Sequence, residues 1–272
     1  MRRPSGGRRR VCVLTVAASD SGGGAGIQAD LLAFAAHGLH GACAITAVTA
    51  QDSRRILDAE PVSRRLVERQ LDAVFQDFRP AAVKIGALFD RSRVEAVAAA
   101  LSRWRARNVV LDPVVTASSG GQLLSPRAMP ALRRDLLPLC SLVTPNLDEA
   151  GILTGQRLRS EGHVREAAVR LVGWGAGAAL IKGGHARGRV VSDLLFDGRS
   201  FRIYRHPRVA TRATHGTGCT LSSAIAAQLA LGRALPSAVE RAIAYLDAGL
   251  RQGSFPGRGR GVPEHFPVRI RL

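Results

Sequence analysis

One stretch limits what this chain can become. Thr214-His215-Gly216-Thr217-Gly218-Cys219-Thr220 runs without a break into Leu221-Ser222-Ser223-Ala224-Ile225-Ala226-Ala227-Gln228-Leu229. Small residues and two glycines, followed by good helix formers with apolar spacing, predict a loop that delivers a helix N-terminus. The first amides of such a helix have no carbonyl partner and sit at the positive end of the macrodipole. Gly216 and Gly218 let the backbone come close to an anion without Cβ interference. Cys219 falls in the first turn, where the same field is expected to lower a thiol pKa and favour the thiolate. An anion hole with a potential base inside it points to phosphoryl transfer or anion-assisted acyl chemistry. A glycine-rich cap over a buried core cysteine has the same local pattern, so the rest of the chain must decide.

The N-terminal half reads as an α/β protein. Residues 11–17 are a continuous apolar run, as in a strand covered on both faces. They lead into Ser19-Asp20-Ser21-Gly22-Gly23-Gly24-Ala25-Gly26, and a helix is predicted over 27–37, the start of a βαβ unit. Gly24-Ala25-Gly26-Ile27-Gln28-Ala29 also satisfies G-x-G-x-x-A, and Asp52 lies about where a ribose-binding acid falls, so an NAD(P)-binding oxidoreductase is a rival reading. It leaves residues 214–220 without a task. No Lys follows these glycines, so there is no Walker A sequence. A second apolar run, 41–50, brings Thr46, Thr49 and Gln51 to a strand's C-terminal end, where open α/β sheets place ligands.

Helical spacing recurs over 63–78 and 91–105, with a short strand carrying Lys84 over 81–86. A strand over 108–111 ends at Asp112-Pro113, where the Asp suits a metal or base position and equally a turn. The small, polar loop 116–121 has the character of a mobile active-site loop, and a helix is predicted over 125–136. Residues 141–143 run into Thr144-Pro145-Asn146-Leu147-Asp148-Glu149, where the acids favour a helix dipole and would equally suit Mg²⁺. The strand 178–181 ends at Lys182, a point charge well placed for a phosphate. Residues 190–205, with an Asp197-Gly198 turn, form a hairpin that adds antiparallel strands at one side of the sheet. A last helix is expected over 236–251, followed by an irregular tail.

Composition narrows the class. The 272 residues, 46% of them hydrophobic, suffice for one large domain, and no apolar run reaches the ~20 residues of a membrane span. The formal charge is +18, and Lys84 and Lys182 are the only lysines among 39 basic residues. Nucleic-acid binding would use such a charge, but there is no aromatic-interleaved basic strand, zinc-finger spacing or basic heptad. An arginine-rich solvated surface that attracts anionic substrates is the better reading. Cys12, Cys43 and Cys140 lie in or beside apolar runs without C-x-x-C, as expected of reduced thiols in the cytoplasm. Arg8-Arg9-Arg10 before residues 11–18 imitates a signal peptide. The strand reading takes precedence, so 1–10 is expected to be a disordered basic arm and 11–272 a single domain.

Ordered motifs from residue 11 to about 265 then carry a resemblance. Residues 19–30 with their glycine run, Thr46–Gln51, Lys84-Ile85-Gly86, Leu111-Asp112-Pro113-Val114, Leu124-Ser125-Pro126, Thr144–Ala150, Lys182-Gly183-Gly184-His185 and His215–Thr220 together resemble the hydroxymethylpyrimidine/phosphomethylpyrimidine kinases of thiamin biosynthesis. The resemblance implies a ribokinase-like three-layer α/β/α sandwich with a mostly parallel sheet. It implies ATP- and Mg²⁺-dependent phosphorylation of a hydroxymethyl pyrimidine and then of its monophosphate, and it implies a homodimer. Asp30 and Gln51 would hold the pyrimidine, lying against Ala18, Ala87 and Val114. Cys219 would act at the substrate hydroxyl as base or through charge and position, while the amides of Gly216, Thr217, Gly218 and Cys219 stabilise the transferred phosphoryl group. Lys182 would bridge phosphates and Thr214 would border the nucleotide. Asp112, Asn146 and Glu149 would organise Mg²⁺, with Asp112 and Glu149 as its carboxylates. The family commonly has Gly, Lys, Asn and Met where this chain has Ala18, Leu32, Asp52 and Ala87, and a base where it has Ser118. Those departures keep a pyridoxal or pyridoxine kinase open as the alternative.

Overall fold

Alternation along the strands sets the layering. In β1 (Cys12–Asp20) Val13 packs into one core and Leu14 and Val16 into another; in β4 (Ala82–Ile85) Ala82 joins the first and Val83 and Ile85 the second. A strand apolar on both faces must be covered on both. Around these strands a computed structural model describes residues 10–116, 121–184 and 188–266. Residues 1–9 of the expected arm, Ser118, His185 and 267–272 lie outside the described residues.

The remaining elements follow in chain order. They are α1 (Gly26–Ala36), β2 (His40–Gln51), β3 (Ile56–Pro61) and α2 (Arg64–Phe78), then, after β4, α3 (Arg91–Arg103) and β5 (Val109–Leu111). Irregular helical turns over 126–139 come next, then β6 (Leu142–Val143), α4 (Leu147–Thr154), α5 (Glu161–Gly173) and β7 (Ala179–Ile181). The chain closes with β8 (Val190–Phe196), β9 (Phe201–Pro207), α6 (Thr217–Ala230) and α7 (Leu235–Arg251). The strands form one sheet in the order β3-β2-β1-β4-β5-β6-β7-β8-β9. Helices α1, α6 and α7 share one core with it; α2, α3, the turns over 126–139, α4 and α5 share the other. This is the expected three-layer α/β/α sandwich.

The hairpin β8–β9 adds antiparallel strands where expected, but β3 also pairs antiparallel with β2 at the opposite edge. Antiparallel strands therefore flank the parallel centre on both sides rather than one. The expected helix over 125–136 is replaced by short turns, Pro130 lacking the amide that a continuous helix would bond back to Pro126. On the helix surfaces, arginines pair with acids one turn away, as in Arg64–Glu68, Arg91–Glu95 and Arg165–Glu161. Much of the arginine charge thus forms a solvated face of modest energetic worth.

The parallel strands all point their C-terminal ends at one edge, where Asp20, Gly86, Asp112, Asn146 and Lys182 emerge. Gly26 opens α1 there at φ +57°, and a Cβ on it would run into the Ala18 carbonyl oxygen. Gly26→Ala combines a left-handed backbone with this clash and is expected to destabilise the chain by more than about 1 kcal/mol. A thermal melt of the variant matching that of the parent would contradict the assignment.

Candidate active site

The site is a cavity of about 1120 Å³ along that edge. At its centre α6 begins at Gly216, which takes φ +78° because a Cβ there would meet the Gly24 carbonyl. No side chain caps this helix, and within it Thr217, Gly218 and Cys219 have no carbonyl four residues back to accept their amides. The expected loop and helix start are present, with the helix left uncapped by any side chain. The Gly216 carbonyl accepts from the Thr220 amide and hydroxyl, which stiffens the first turn. Thr214 lies exposed at the rim, its carbonyl accepting from the Thr217 hydroxyl at 3.2 Å. A Cβ at Gly218 would come within 3.3 Å of both Asp112 Oδ2 and Lys182 Nζ, so glycine keeps that corner open.

Cys219 lines the cavity rather than the hydrocarbon core, but its thiol is not acidic. Burial pushes its pKa up to about 11; Lys84 and the Gly26 amide oppose that, whereas the carboxylates of Asp30 and Asp112 add to it. The helix field expected to yield a thiolate is outweighed, and at neutral pH Cys219 carries its proton.

Asp30 also departs from expectation. Its carboxylate is wholly buried beneath the cavity, accepting from Thr15 Oγ1 at 2.5 Å, Ser223 Oγ at 2.7 Å and Lys84 Nζ at 2.8 Å. It is not among the residues lining the cavity, and its oxygens are taken up by these three donors. Its partner Lys84 does reach the wall although fully buried. Burial alone would lower the Lys84 pKa; Asp30, with Cys219 and Asp112, overcomes that and holds it well above the usual range. Removing one member of a buried pair leaves an uncompensated charge.

Lys182 ends β7 with its ammonium 2.8 Å from Asp112 Oδ1. Burial disfavours its charge, and Asp112 and Glu149 more than restore it. Asn146 and Glu149 form a reciprocal capping box at the start of α4, Asn146 Oδ1 accepting the Glu149 amide and Glu149 Oε2 the Asn146 amide, each at 2.8 Å. Both also line the cavity, so the structural and the functional readings of Glu149 coexist. Burial raises the Glu149 pKa to about 7 against the pull of Lys182. Among the described residues no three His, Cys, Asp or Glu side chains form a metal-holding group. Two carboxylates beside a lysine do fit a Mg²⁺ ion that keeps most of its waters and arrives with a nucleotide's phosphates.

At one end the wall is apolar: Ala18 and Ala87 pack with Ala47, flanked by Val114 and Leu123. Gln51 faces this shelf. Its Nε2 lies 3.4 Å from His215 Nε2, which is itself 3.0 Å from Asp20 Oδ2. A nitrogen donating to a carboxylate cannot accept from an amide, so His215 does not take up the Gln51 NH₂. Asp20 was not singled out from sequence, yet its carboxylate accepts the Gly22, Gly24 and Ala25 amides at 2.8, 3.1 and 2.8 Å. An acid immediately before a run of glycines with unpaired amides was the available signal.

Residues 20–264 match the family model described as phosphomethylpyrimidine kinase. The chain belongs to this kinase family. A hydroxymethylpyrimidine/phosphomethylpyrimidine kinase of Rhizobium meliloti is 48% identical, covering 93% of this chain and 96% of the relative. That of Escherichia coli is 42% identical, covering 95% and 98%. Among solved structures, pyridoxal kinase of Bacillus subtilis in complex with ADP superposes with a TM-score of 0.88 at 32% identity, covering 94% of this chain and 97% of that one. A phosphomethylpyrimidine kinase of Clostridium difficile gives 0.78 at 36%, covering 88% and 98%. Membership in this kinase family displaces the oxidoreductase reading. Asp52 accordingly caps an exposed turn, accepting from the Arg54 and Arg55 amides at 2.7 and 2.8 Å.

Lys84→Met is expected to lower folding stability by about 3–5 kcal/mol, with Lys84→Met/Asp30→Asn recovering a substantial part. Urea titrations of both variants check this, and a double variant no more stable than the single would refute the ion-pair account.

Proposed function

We propose that this kinase transfers the terminal phosphoryl group of ATP to the hydroxymethyl group of 4-amino-5-hydroxymethyl-2-methylpyrimidine, and then phosphorylates the monophosphate to the diphosphate, in thiamin biosynthesis. The observation that carries this is the uncapped start of α6, opening between the Ala18/Ala87/Val114 shelf and the Lys182–Asp112 pair. The shelf accepts a flat heterocycle, and the Gln51 amide supplies donor and acceptor for its amino-substituted edge. Lys182 and the Thr217, Gly218 and Cys219 amides meet the migrating phosphoryl group where charge develops. Mg²⁺ bound near Asp112 and Glu149 would neutralise phosphate charge.

In the transfer the substrate oxygen forms a bond to the γ-phosphorus, the bond to the bridging β-oxygen breaks to release ADP, and the hydroxyl proton passes from the acceptor oxygen to solvent water. A loose transition state asks little of a base. Cys219, protonated at rest, serves by lining the acceptor position with a weak hydrogen-bonding sulfur rather than as a standing thiolate. The pyrimidine is favoured over pyridoxal because relatives named for the pyrimidine reach 40–48% identity, whereas the pyridoxal kinase structures stand at 31–32%. The reading includes a homodimer working in the cytoplasm.

ATP consumption with the pyrimidine alcohol, its monophosphate and pyridoxal tests the reading side by side. Both pyrimidines are expected to turn over, with kcat/KM for pyridoxal at least about tenfold lower; a preference for pyridoxal would overturn it. Cys219→Ala is expected to lose roughly five- to tenfold in kcat, the worth of one weak hydrogen bond, at an unchanged melting temperature. Near-normal turnover would take the thiol out of the mechanism.

A further inference from the structure

Across the cavity from the apolar shelf, three side chains meet that the transfer does not use. His206 of β9 stands between two carboxylates, Nδ1 3.1 Å from Asp247 Oδ2 of α7 and Nε2 3.3 Å from Asp193 Oδ2 of β8. All three line the cavity, Asp193 is buried, and His206 and Asp247 are mostly so. A neutral imidazole carries one N–H and serves one acceptor; two carboxylates on opposite nitrogens require both N–H groups, hence the cation.

The second carboxylate oxygen of Asp193 accepts the Gly183 amide at 2.7 Å. Gly183 follows the phosphate-facing Lys182 and has no room for a Cβ against the Ser192 carbonyl. Just beyond His206, Arg208 donates to the Gly184 carbonyl at 2.7 Å. Asp193 of β8 and Arg208, just after β9, therefore hold the turn 182–184 at two successive residues, and His206 ties Asp193 to Asp247 of α7.

We propose that His206 is a positioning residue for the nucleotide: its imidazolium fixes the turn 182–184 against α7 and offsets two carboxylates that would otherwise face the phosphates. The proposal rests on the kinase reading above. With the cation the trio carries a net charge of −1; without it, −2 on the wall of a site for a polyanion. From the elements packed around the ring, the charged groups that face it are Asp193 and Asp247. Hydrogen bonds donated to both raise its pKa to about 9 in spite of burial. The folded pKa lies above the ordinary value, so the imidazolium's contribution is complete below about pH 6.5. It is lost as pH rises through about 9.

His206→Gln, compared with the parent, is the test. The KM for ATP and the Kd for ADP by calorimetry are expected to rise roughly tenfold, the loss of one charged hydrogen bond, while the KM for the pyrimidine alcohol stays within about twofold. In the parent, ADP affinity is expected to fall as pH passes about 9, and in the variant to be flat across that interval. Asp247→Asn, which keeps the histidine, is expected to move the parent's midpoint to lower pH, and it supplies the result if His206→Gln does not fold. Unchanged ADP affinity in folded His206→Gln, or a midpoint unmoved by Asp247→Asn, overturns the proposal. Because ADP binding needs no turnover, a parent that phosphorylates no alcohol would sink the kinase reading while a weakened ADP affinity in His206→Gln still upheld this one.

Discussion

One buried carboxylate holds two loops from opposite ends of the chain. Asp20 accepts three amides of the glycine turn after β1 and meets His215, the residue before the N-cap of α6. Burial opposes its charge, and the His215 and amide hydrogen bonds more than compensate, holding its pKa below the usual range. The consequence is a division of labour between two glycine-rich segments. The amides of the first are spent on Asp20, inside the protein. Those at the start of α6 remain for a ligand, because Gly216 presses against Gly24 and leaves no space for a capping side chain.

Charge along the cavity is arranged as two ion pairs and one trio. Lys84 with Asp30 lies under the centre, Lys182 with Asp112 beside it, and His206 with Asp193 and Asp247 at the far wall. Burial first, and then the carboxylates of Asp30 and Asp112 that secure these cations, keep Cys219 a thiol. A site so arranged receives anionic phosphates by local cation and amide placement. The +18 formal charge of the whole chain contributes long-range attraction only.

Much of this was legible in the residue pattern. The central strands announce themselves as short apolar runs ending in Gly, Asp, Asn or Lys, and the loop before α6 by its small residues. β3 was not, because Ile56–Pro61 alternates exposed polar residues and ends in proline, as edge strands do. Asp30 was expected to hold the pyrimidine only through the family resemblance of residues 19–30. Only the tertiary fold brings Ser223, 193 residues away, onto its carboxylate. The acidity expected of Cys219 failed for a related reason: the helix field is local and readable, whereas burial and the charges of Asp30 and Asp112 are not. His206 gave no signal, since its two acceptors come from a different strand and a different helix.

The account stands on the amides that open α6 receiving the migrating phosphoryl group. A crystal structure with ADP, Mg²⁺, the pyrimidine alcohol and a trigonal phosphate mimic such as aluminium fluoride tests this directly. The account places the mimic within hydrogen-bonding distance of the Thr217, Gly218 and Cys219 amides, with the Cys219 sulfur beside the acceptor oxygen. A mimic seated on the 22–26 turn, or on Lys182 with those amides turned to water, would contradict it.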